Sequence, residues 1–221
     1  MSVWAILVAA GRGERLGLDH PKAFAKLGED PLLAEPLRRL DDSDWIDAIV
    51  LVAPPGWEEP SILLAEELGC GKVSACVPGG ETRADSVRAG LAEVPEDAVA
   101  VLVHDAARPL LPEAVIERVL APLGEGWDGA VPGLPVPDTL KRVDADGRVL
   151  ETVERESLYA VQTPQAFPAE VLRRAVATGG DATDCAALVE AAGGRVKGVP
   201  GDPLLLKVTT ADDLAKIAAW L

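Results

Sequence analysis

The sequence predicts an α/β fold with a mostly parallel sheet, into which a β-hairpin is inserted. Three observations lead to this prediction. Short apolar runs alternate with segments of helical spacing, turns rich in glycine or charge follow several of these runs, and the alternation breaks once, after Val131. The chain has 221 residues, of which 48% are apolar, so it can bury one sizeable core. We therefore expect a single domain over 1–221.

The first half of the chain alternates predicted strands with predicted helices. Short apolar runs predict strands over 3–9, 46–52, 72–77 and 99–103. Apolar residues at helical spacing predict helices over 32–40, 61–68, 83–93 and 112–120. Strands that alternate with helices form βαβ units, so these strands are expected to run parallel.

The second half of the chain contains the predicted insertion. Two runs, 139–143 and 148–153, flank a turn that ends at Gly147, which predicts a β-arm over about 136–157. Such an arm either reaches a neighbouring subunit or packs on its own domain. After the arm we predict helices over 169–177, 182–191 and 211–221, and strands over 194–199 and 205–208.

Composition excludes several functions and suggests a location. The net charge of −15 argues against a broad nucleic-acid-binding surface, because such surfaces are basic. The sequence shows neither an apolar run of membrane-spanning length nor a secretory leader, so we expect a cytoplasmic protein without a membrane partner. Cys70, Cys76 and Cys185 lack disulfide or zinc spacing, which fits a reducing compartment. The lack of asparagine indicates a heat-adapted source or a GC-rich genome.

A glycine-rich turn with cations follows the first predicted strand. Gly11 and Gly13 alternate with Arg12, and Arg15 and Lys22 follow closely. The third glycine comes one residue too late for a dinucleotide-binding turn, and the Gly-Lys-Ser/Thr of a Walker loop is missing. Backbone N–H groups and cations at such a turn suit a triphosphate. The alternative is a turn whose arginines are merely solvated.

The predicted strand over 99–103 leads to a candidate metal ligand. Asp105 should lie at the carboxyl edge of the sheet, where α/β proteins bind ligands, and it could hold Mg²⁺ that bridges phosphates. Arg108 could pair with a phosphate, lock the loop through Asp105 or lie at a subunit boundary, and we favour one of the last two roles. We expect His104 to be structural.

Three further features suggest binding groups. Gly79 and Gly80 would let the backbone approach a flat ligand before a helix that carries Ser86, and Thr82 to Asp85 resembles a capping box. Thr139 and Arg155 at the base of the arm suit a phosphomonoester, although charges on hairpins are usually solvated. Lys207 stands in an apolar run, so it lies either at a sheet edge or in the active site.

Together these motifs resemble the family of 2-C-methyl-D-erythritol 4-phosphate cytidylyltransferases. They are, in chain order, AAGRGERLG with PK, GGETRADSV, VHDAARP, PDTLK, VER, TPQ and KVT. The resemblance covers nearly the whole chain. It implies a Rossmann-like nucleotidyltransferase fold, a homodimer joined through β-arms, and Mg²⁺-dependent transfer of CMP from CTP to a methylerythritol phosphate.

The resemblance also assigns roles to residues. For the nucleotide it implies two groups of ligands. The pocket for the base and ribose would be formed by Ala9, Ala10, Gly80, Glu81 and Ser86. The triphosphate would be bound by Gly11, Gly13, Arg15 and Lys22. Asp105 would hold the metal, and Arg15, Lys22 and Lys207 would be catalytic. The acceptor would be bound by Thr163, Thr183 and Lys207, together with Thr139 and Arg155 of the partner's arm.

Two departures and two rival functions remain open at this point. Ala23 replaces a common glutamine, and Cys185 replaces a common acidic residue, which puts substrate contacts at that helix start in question. One rival is a cytidylyltransferase for another polyol phosphate, such as ribitol 5-phosphate. The other is a nucleotide-binding module without catalysis.

Overall fold

The computed structural model describes residues 2–11, 13, 17–179 and 182–221. Its strands are β1 (Ser2–Val8), β2 (Lys26–Leu27), β3 (Asp30–Pro31), β4 (Ala48–Ala53), β5 (Val73–Pro78), β6 (Ala98–Asp105), β7 (Gly129–Pro135), β8 (Leu140–Val143), β9 (Val149–Val153), β10 (Tyr159–Val161), β11 (Gln165–Pro168) and β12 (Val196–Pro200). Its helices are α1 (Ala34–Asp41), α2 (Glu58–Glu67), α3 (Arg83–Ala92), α4 (Glu113–Gly124), α5 (Ala169–Ala177), α6 (Cys185–Ala191) and α7 (Ala211–Ala218). Short 3-10 helices cover Lys22–Phe24 and Pro203–Leu205.

Over the described ranges, eight strands form the central sheet, in the order β10-β7-β11-β6-β1-β4-β5, with β12 paired to β7. Pairs β1–β4, β1–β6, β4–β5 and β7–β12 are parallel, as the alternating sequence predicts. Strands β10 and β11 pair antiparallel with their neighbours. The α/β prediction with a mostly parallel sheet is confirmed.

Apolar cores cover both faces of the sheet. All six residues of β4 are buried, and alternate residues face opposite sides, so that Leu51 belongs to one cluster and Val52 to the other. Helices α1, α2 and α4 contribute to the first cluster, and α3, α5 and α6 to the second. A strand buried on both faces reads as a continuous apolar run, which explains why this part of the fold is legible in the sequence.

The predicted β-hairpin is present as β8 and β9, which pair antiparallel from Leu140 opposite Val153. Gly147 closes its turn with φ of +82°, a conformation that favours glycine. Val143, Val149 and Leu150 on the arm are 51%, 54% and 56% exposed. The arm therefore presents apolar side chains to its surroundings rather than to its own sheet.

Two sequence predictions near the carboxyl end need correction. The strand predicted over 205–208 is wrong, because Pro203–Leu205 is a 3-10 helix capped by the Asp202 side chain. The Leu205 carbonyl accepts from the Arg108 side chain, and Val208 N–H donates to the Ala107 carbonyl, so these groups do not take part in a strand ladder. The helix predicted from 182 begins at Cys185.

The C-terminal helix α7 closes a third, smaller cluster. Ile217 packs with Leu27, Leu32, Leu110 and Val208, so the helix covers the segment that follows Lys22. Within the described ranges, none of the helices has the length and apolar character needed to cross a membrane.

Candidate active site

The carboxyl ends of the parallel strands bring the predicted motifs to one edge of the sheet. Strands β1, β5 and β6 lead directly to Ala9, Gly79 and Ala106, and Ala9 N–H donates to the Val52 carbonyl over 2.8 Å. The alternation of strands and helices places these turns together, as expected for the ligand-binding edge of an α/β sheet.

A cavity of about 420 Å³ opens at this edge. The predicted site residues that line it are Ala9, Ala10, Gly11, Lys22, Gly80, Glu81, Ser86, Asp105 and Lys207. Gly13 is not among the lining residues but lies behind Lys22, since a Cβ there would be 2.5 Å from the Lys22 Cβ. Arg15 lies outside the described residues.

The turn before α3 is built by side-chain hydrogen bonds. Gly80 N–H donates to Ser86 Oγ over 3.2 Å, and Ser86 Oγ donates to the Thr82 carbonyl over 3.0 Å. Thr82 and Asp85 form the predicted capping box. A Cβ at Gly79 would overlap the Cβ of Ala10, so glycine lets the two turns touch. This contact shapes one wall of the cavity.

A second cavity of about 240 Å³ adjoins the first. Thr163, Thr183 and Lys207 line it, so the structure brings together the three residues predicted to bind the acceptor from within one chain. Thr139 and Arg155 line neither cavity; both are exposed, and Arg155 donates to the Pro137 carbonyl. Within one chain, the base of the arm therefore does not join this site.

Among the residues that the structure describes, three line both cavities: Arg83, Asp105 and Lys207. Lys207 Nζ donates to Asp105 Oδ2 over 2.7 Å, and Arg83 Nε donates to Oδ1 over 3.0 Å. Burial would raise the pKa of Asp105, but the positive charges of Arg83 and Lys207 outweigh it and hold the pKa well below its usual value. Asp105 is therefore an ionised carboxylate at the boundary of the two cavities.

The Lys22 side chain contacts the backbone of the segment that carries Lys207. Lys22 Nζ donates to the Val208 carbonyl over 3.1 Å, next to Lys207 in the chain. Of the two alternatives for Lys207, the structure supports a place in the site, although the residue does not stand in a strand.

His104 is structural, as expected. It is completely buried, with Nδ1 3.1 Å from Thr163 Oγ1 and Nε2 3.0 Å from the Arg108 carbonyl. Thr163 Oγ1 also accepts from the Asp105 N–H over 3.1 Å. Burial lowers the pKa of His104 to about 4, so the ring is neutral at pH 7. Its role is to fix Thr163 and, through it, the backbone of Asp105.

Two arginines have roles that the sequence did not predict. Arg108 does not lock the loop through Asp105; its guanidinium donates to the Leu205 carbonyl and so fixes the segment that carries Lys207. Arg83 was not predicted as a site residue, although it contacts Asp105. The available signal was its position at the first turn of a helix that follows two glycines, beside Thr82 of the capping box.

Gln162 and Gln165 were missed as well. The Gln162 side-chain amide donates to the Asp202 carbonyl and accepts from the Asp202 N–H, which holds the loop before Lys207. Gln165 Oε1 accepts from the N–H groups of Cys185 and Ala186, and its Nε2 donates to Asp184. These contacts join distant parts of the chain, so local sequence patterns carry no trace of them.

The capacity of the site for a metal rests on Asp105. The described part of the chain contains no group of three or more His, Cys, Asp or Glu side chains placed to hold a metal ion. A single carboxylate fits Mg²⁺ that is held mainly by substrate phosphates and water, because Mg²⁺ is commonly bound in this way. The donor set does not fit a zinc site, which needs three or four protein ligands.

The fold and the site define a nucleotidyltransferase: a glycine-walled cavity at the carboxyl edge meets a second cavity at one carboxylate and two cations. Residues 3–221 match the sequence model of the family described as 2-C-methyl-D-erythritol 4-phosphate cytidylyltransferase. The chain belongs to this family.

Individual relatives agree with this assignment. A protein of Saccharopolyspora erythraea with the family's name is 48% identical over 225 residues, which cover all of both chains. A solved structure of the cytidylyltransferase from Thermus thermophilus is 34% identical with a TM-score of 0.80, covering 100% of this chain and 98% of that one. The 4-diphosphocytidyl-2C-methyl-D-erythritol synthase of Anaerococcus prevotii is 26% identical with a TM-score of 0.84, covering 99% and 97%.

Proposed function

We propose that this protein transfers CMP from CTP to 2-C-methyl-D-erythritol 4-phosphate, giving 4-diphosphocytidyl-2-C-methyl-D-erythritol and pyrophosphate in the non-mevalonate isoprenoid pathway. The observation that carries the proposal is the meeting of two cavities at Asp105, Arg83 and Lys207. A reaction between two phosphorylated substrates needs two binding sites that adjoin at the reacting phosphorus. Membership in the family supplies the identity of the substrates.

The chemistry needs no general base from the protein. The second pKa of a phosphomonoester is about 6, so the acceptor is mostly a dianion at neutral pH. One of its oxygens attacks the α-phosphorus of CTP, a new phosphorus–oxygen bond forms, and the bond to the bridging oxygen of the β-phosphate breaks. The electron pair of that bond leaves with pyrophosphate. The protein contributes positioning and charge stabilisation.

Lys22, Arg15 and Lys207 supply that positive charge. We assign Lys22 and Arg15 to the triphosphate, where charge develops, and Lys207 to the acceptor phosphate in the second cavity. The variants Lys22→Ala and Arg15→Ala should each lose roughly 3–5 kcal/mol of transition-state stabilisation, the scale of charged groups that clamp phosphates. Release of pyrophosphate measures the loss, and turnover near that of the wild type would refute the assigned role.

We also propose that Mg²⁺ serves the reaction, with Asp105 as its ligand from the protein. The ion would neutralise charge on the phosphates as the leaving group departs. Lys22 binds the triphosphate, and the glycines of the first turn let the triphosphate come close to backbone N–H groups. Asp105 keeps its orientation through its backbone N–H bond to Thr163.

The β-arm suggests a homodimer in which each arm completes the partner's site. Val143, Val149 and Leu150 are more than half exposed, and the predicted acceptor ligands Thr139 and Arg155 line neither of the two cavities described above. Exposed apolar side chains on an inserted hairpin favour burial against a second copy. A partner's arm would then bring Thr139 and Arg155 to the second cavity.

Mixing two inactive variants tests this arrangement. A dimer formed from Lys22→Ala and Arg155→Ala chains has one site with both wild-type residues if the arms exchange. Random pairing should therefore restore about a quarter of the wild-type sites. No recovery after unfolding and refolding the mixture would show that both residues act within one chain.

The function itself is tested by pyrophosphate release with the four nucleoside triphosphates and 2-C-methyl-D-erythritol 4-phosphate. CTP should be preferred, and ribitol 5-phosphate should be the poorer acceptor. Preference for ribitol 5-phosphate would identify the other polyol specificity. Binding of CTP without pyrophosphate release, with Mg²⁺ and either acceptor, would identify a nucleotide-binding module instead.

We further propose a cytoplasmic location and a heat-adapted source. Cys70, Cys76 and Cys185 are free thiols, which suits a reducing compartment. The absence of asparagine from the sequence suits a protein that works at high temperature. A melting temperature in the ordinary mesophilic range of about 45–65 °C would refute heat adaptation.

A further inference from the structure

Asp105 is held by two cations that differ in freedom. The Arg83 side chain is 22% exposed, and its Nη1 donates to the Sγ of buried Cys185 over 3.5 Å in addition to the Nε bond to Asp105. Its Nη2 lies 3.0 Å from the same carboxylate oxygen. The Lys207 side chain is 40% exposed, and Asp105 is its hydrogen-bond partner in the described part of the chain. Arg83 is therefore held by two side chains, Asp105 at the end of β6 and Cys185 at the start of α6, whereas Lys207 is held by Asp105.

Asp105 carries one negative charge, whereas two cations, Arg83 and Lys207, donate hydrogen bonds to it. Burial raises the pKa of the Cys185 thiol, so this group accepts from Arg83 without adding a negative charge. Asp184, the other carboxylate that lines the second cavity, is bound to the first turn of α6 and to Gln165. Asp105 therefore neutralises Arg83 or Lys207, but not both.

Geometry decides which of the two cations can leave. A guanidinium presents its N–H groups in a rigid fork, and Arg83 uses that fork on two neighbours at once. An ammonium on a flexible stem can turn to another acceptor, and Lys207 lines the second cavity. A buried carboxylate without any cation would be costly, so Lys207 can leave Asp105 only if Arg83 stays.

We propose that Arg83 is the permanent counter-ion of Asp105 and thereby frees Lys207 to bind the phosphate of the acceptor in the second cavity. This inference rests on the proposed function. Arg83 is a positioning residue: it acts through Asp105 and Lys207 and not on the substrate itself. Without Arg83, Lys207 is the one side-chain cation of the described residues that still donates a hydrogen bond to Asp105, so the carboxylate holds it away from the acceptor.

The test measures acceptor binding without turnover. The full chain is saturated with a CTP analogue that has a methylene group between the α- and β-phosphorus atoms and cannot release pyrophosphate. 2-C-methyl-D-erythritol 4-phosphate is then titrated in by calorimetry. Arg83→Met should raise the dissociation constant of 2-C-methyl-D-erythritol 4-phosphate by about tenfold or more, because Lys207 then stays bound to the buried carboxylate of Asp105. Arg83→Lys, which keeps a charge near Asp105, should recover part of the affinity.

The double variant Arg83→Met/Asp105→Asn separates this role from a structural one. Removing the anion releases Lys207, so Arg83→Met should weaken acceptor binding by less than about threefold when it is added to Asp105→Asn, compared with Asp105→Asn alone. A loss of about tenfold in both backgrounds would overturn the proposal. Arg88→Met is the matched control, because Arg88 lies on the same helix in a surface ion pair with Asp85 and its loss should change little.

Melting temperatures identify variants that fail to fold. If Arg83→Met does not fold, Cys185→Ala is used in its place. This variant removes one hydrogen-bond partner of Arg83 and should weaken acceptor binding about threefold. An unchanged affinity for the acceptor would refute the inference. Wild-type turnover is measured first. Wild-type protein that releases no pyrophosphate refutes the proposed function and the inference with it, whereas active protein whose Arg83→Met variant binds the acceptor normally refutes the inference alone.

Discussion

The stability of the protein should depend on the protonation of His104. The Arg108 carbonyl can only accept, so Nε2 of His104 carries the proton and Nδ1 accepts from the Thr163 hydroxyl. Thr163 Oγ1 is then free to accept from the Asp105 N–H. If Nδ1 were protonated, the buried Thr163 hydroxyl would lose its hydrogen-bond acceptor. This cost disfavours the protonated ring, in agreement with the lowered pKa of His104.

The size of the effect follows from the pKa of His104. The folded protein lowers it from the ordinary 6.5 to about 4 through burial. Each pKa unit corresponds to about 1.4 kcal/mol, so the neutral ring accounts for roughly 3 kcal/mol of the free energy of unfolding. The unfolded chain binds a proton near pH 6.5 and the folded chain does not. This contribution is therefore complete above pH 6.5 and is lost as the pH falls towards 4.

Urea unfolding from pH 7.5 to pH 4 measures this contribution. Carboxylates also titrate near pH 4, so the quantity of interest is the difference between the wild type and His104→Gln. The wild type should lose roughly 3 kcal/mol more than the variant over this range. Equal losses in the wild type and His104→Gln would refute the assigned hydrogen bonds.

Three further predictions concern the walls of the site and the metal. Gln165→Leu leaves two N–H groups at the start of α6 without their acceptor and should lower the free energy of unfolding by roughly 2–3 kcal/mol, measured in urea; a loss below about 0.5 kcal/mol would contradict the role of Gln165. Gly79→Ala forces Ala10 away and should weaken CTP binding about tenfold in calorimetry, whereas Gly71→Ala, at an open position, should leave CTP binding unchanged. Equal affinities of the two variants for CTP would contradict the tight contact between Gly79 and Ala10. Chelation of divalent cations should abolish pyrophosphate release and Mg²⁺ should restore it, and full activity in chelator would exclude the proposed metal.

Local sequence patterns suffice to predict several elements of the fold. Strands β4 and β6 are apolar runs buried on both faces, and the capping box at Thr82 is a local hydrogen-bond motif, so both were visible in the sequence. The hairpin was predicted from its turn for the same reason. Strands β10 and β11 were not predicted, because they are three and four residues long and exist through pairing with β7 and β6.

The residues alone determined the α/β alternation, the inserted arm, and the position of Asp105 at the end of a buried strand. Only the tertiary structure decided that Arg83 and Lys207, which are 124 positions apart by their numbers, share that carboxylate, and that Arg108 binds the Leu205 carbonyl instead. The physical reason is the range of each interaction. Backbone pattern and capping act within a few neighbours, whereas a buried charge takes whichever partner the folded chain brings within hydrogen-bond distance.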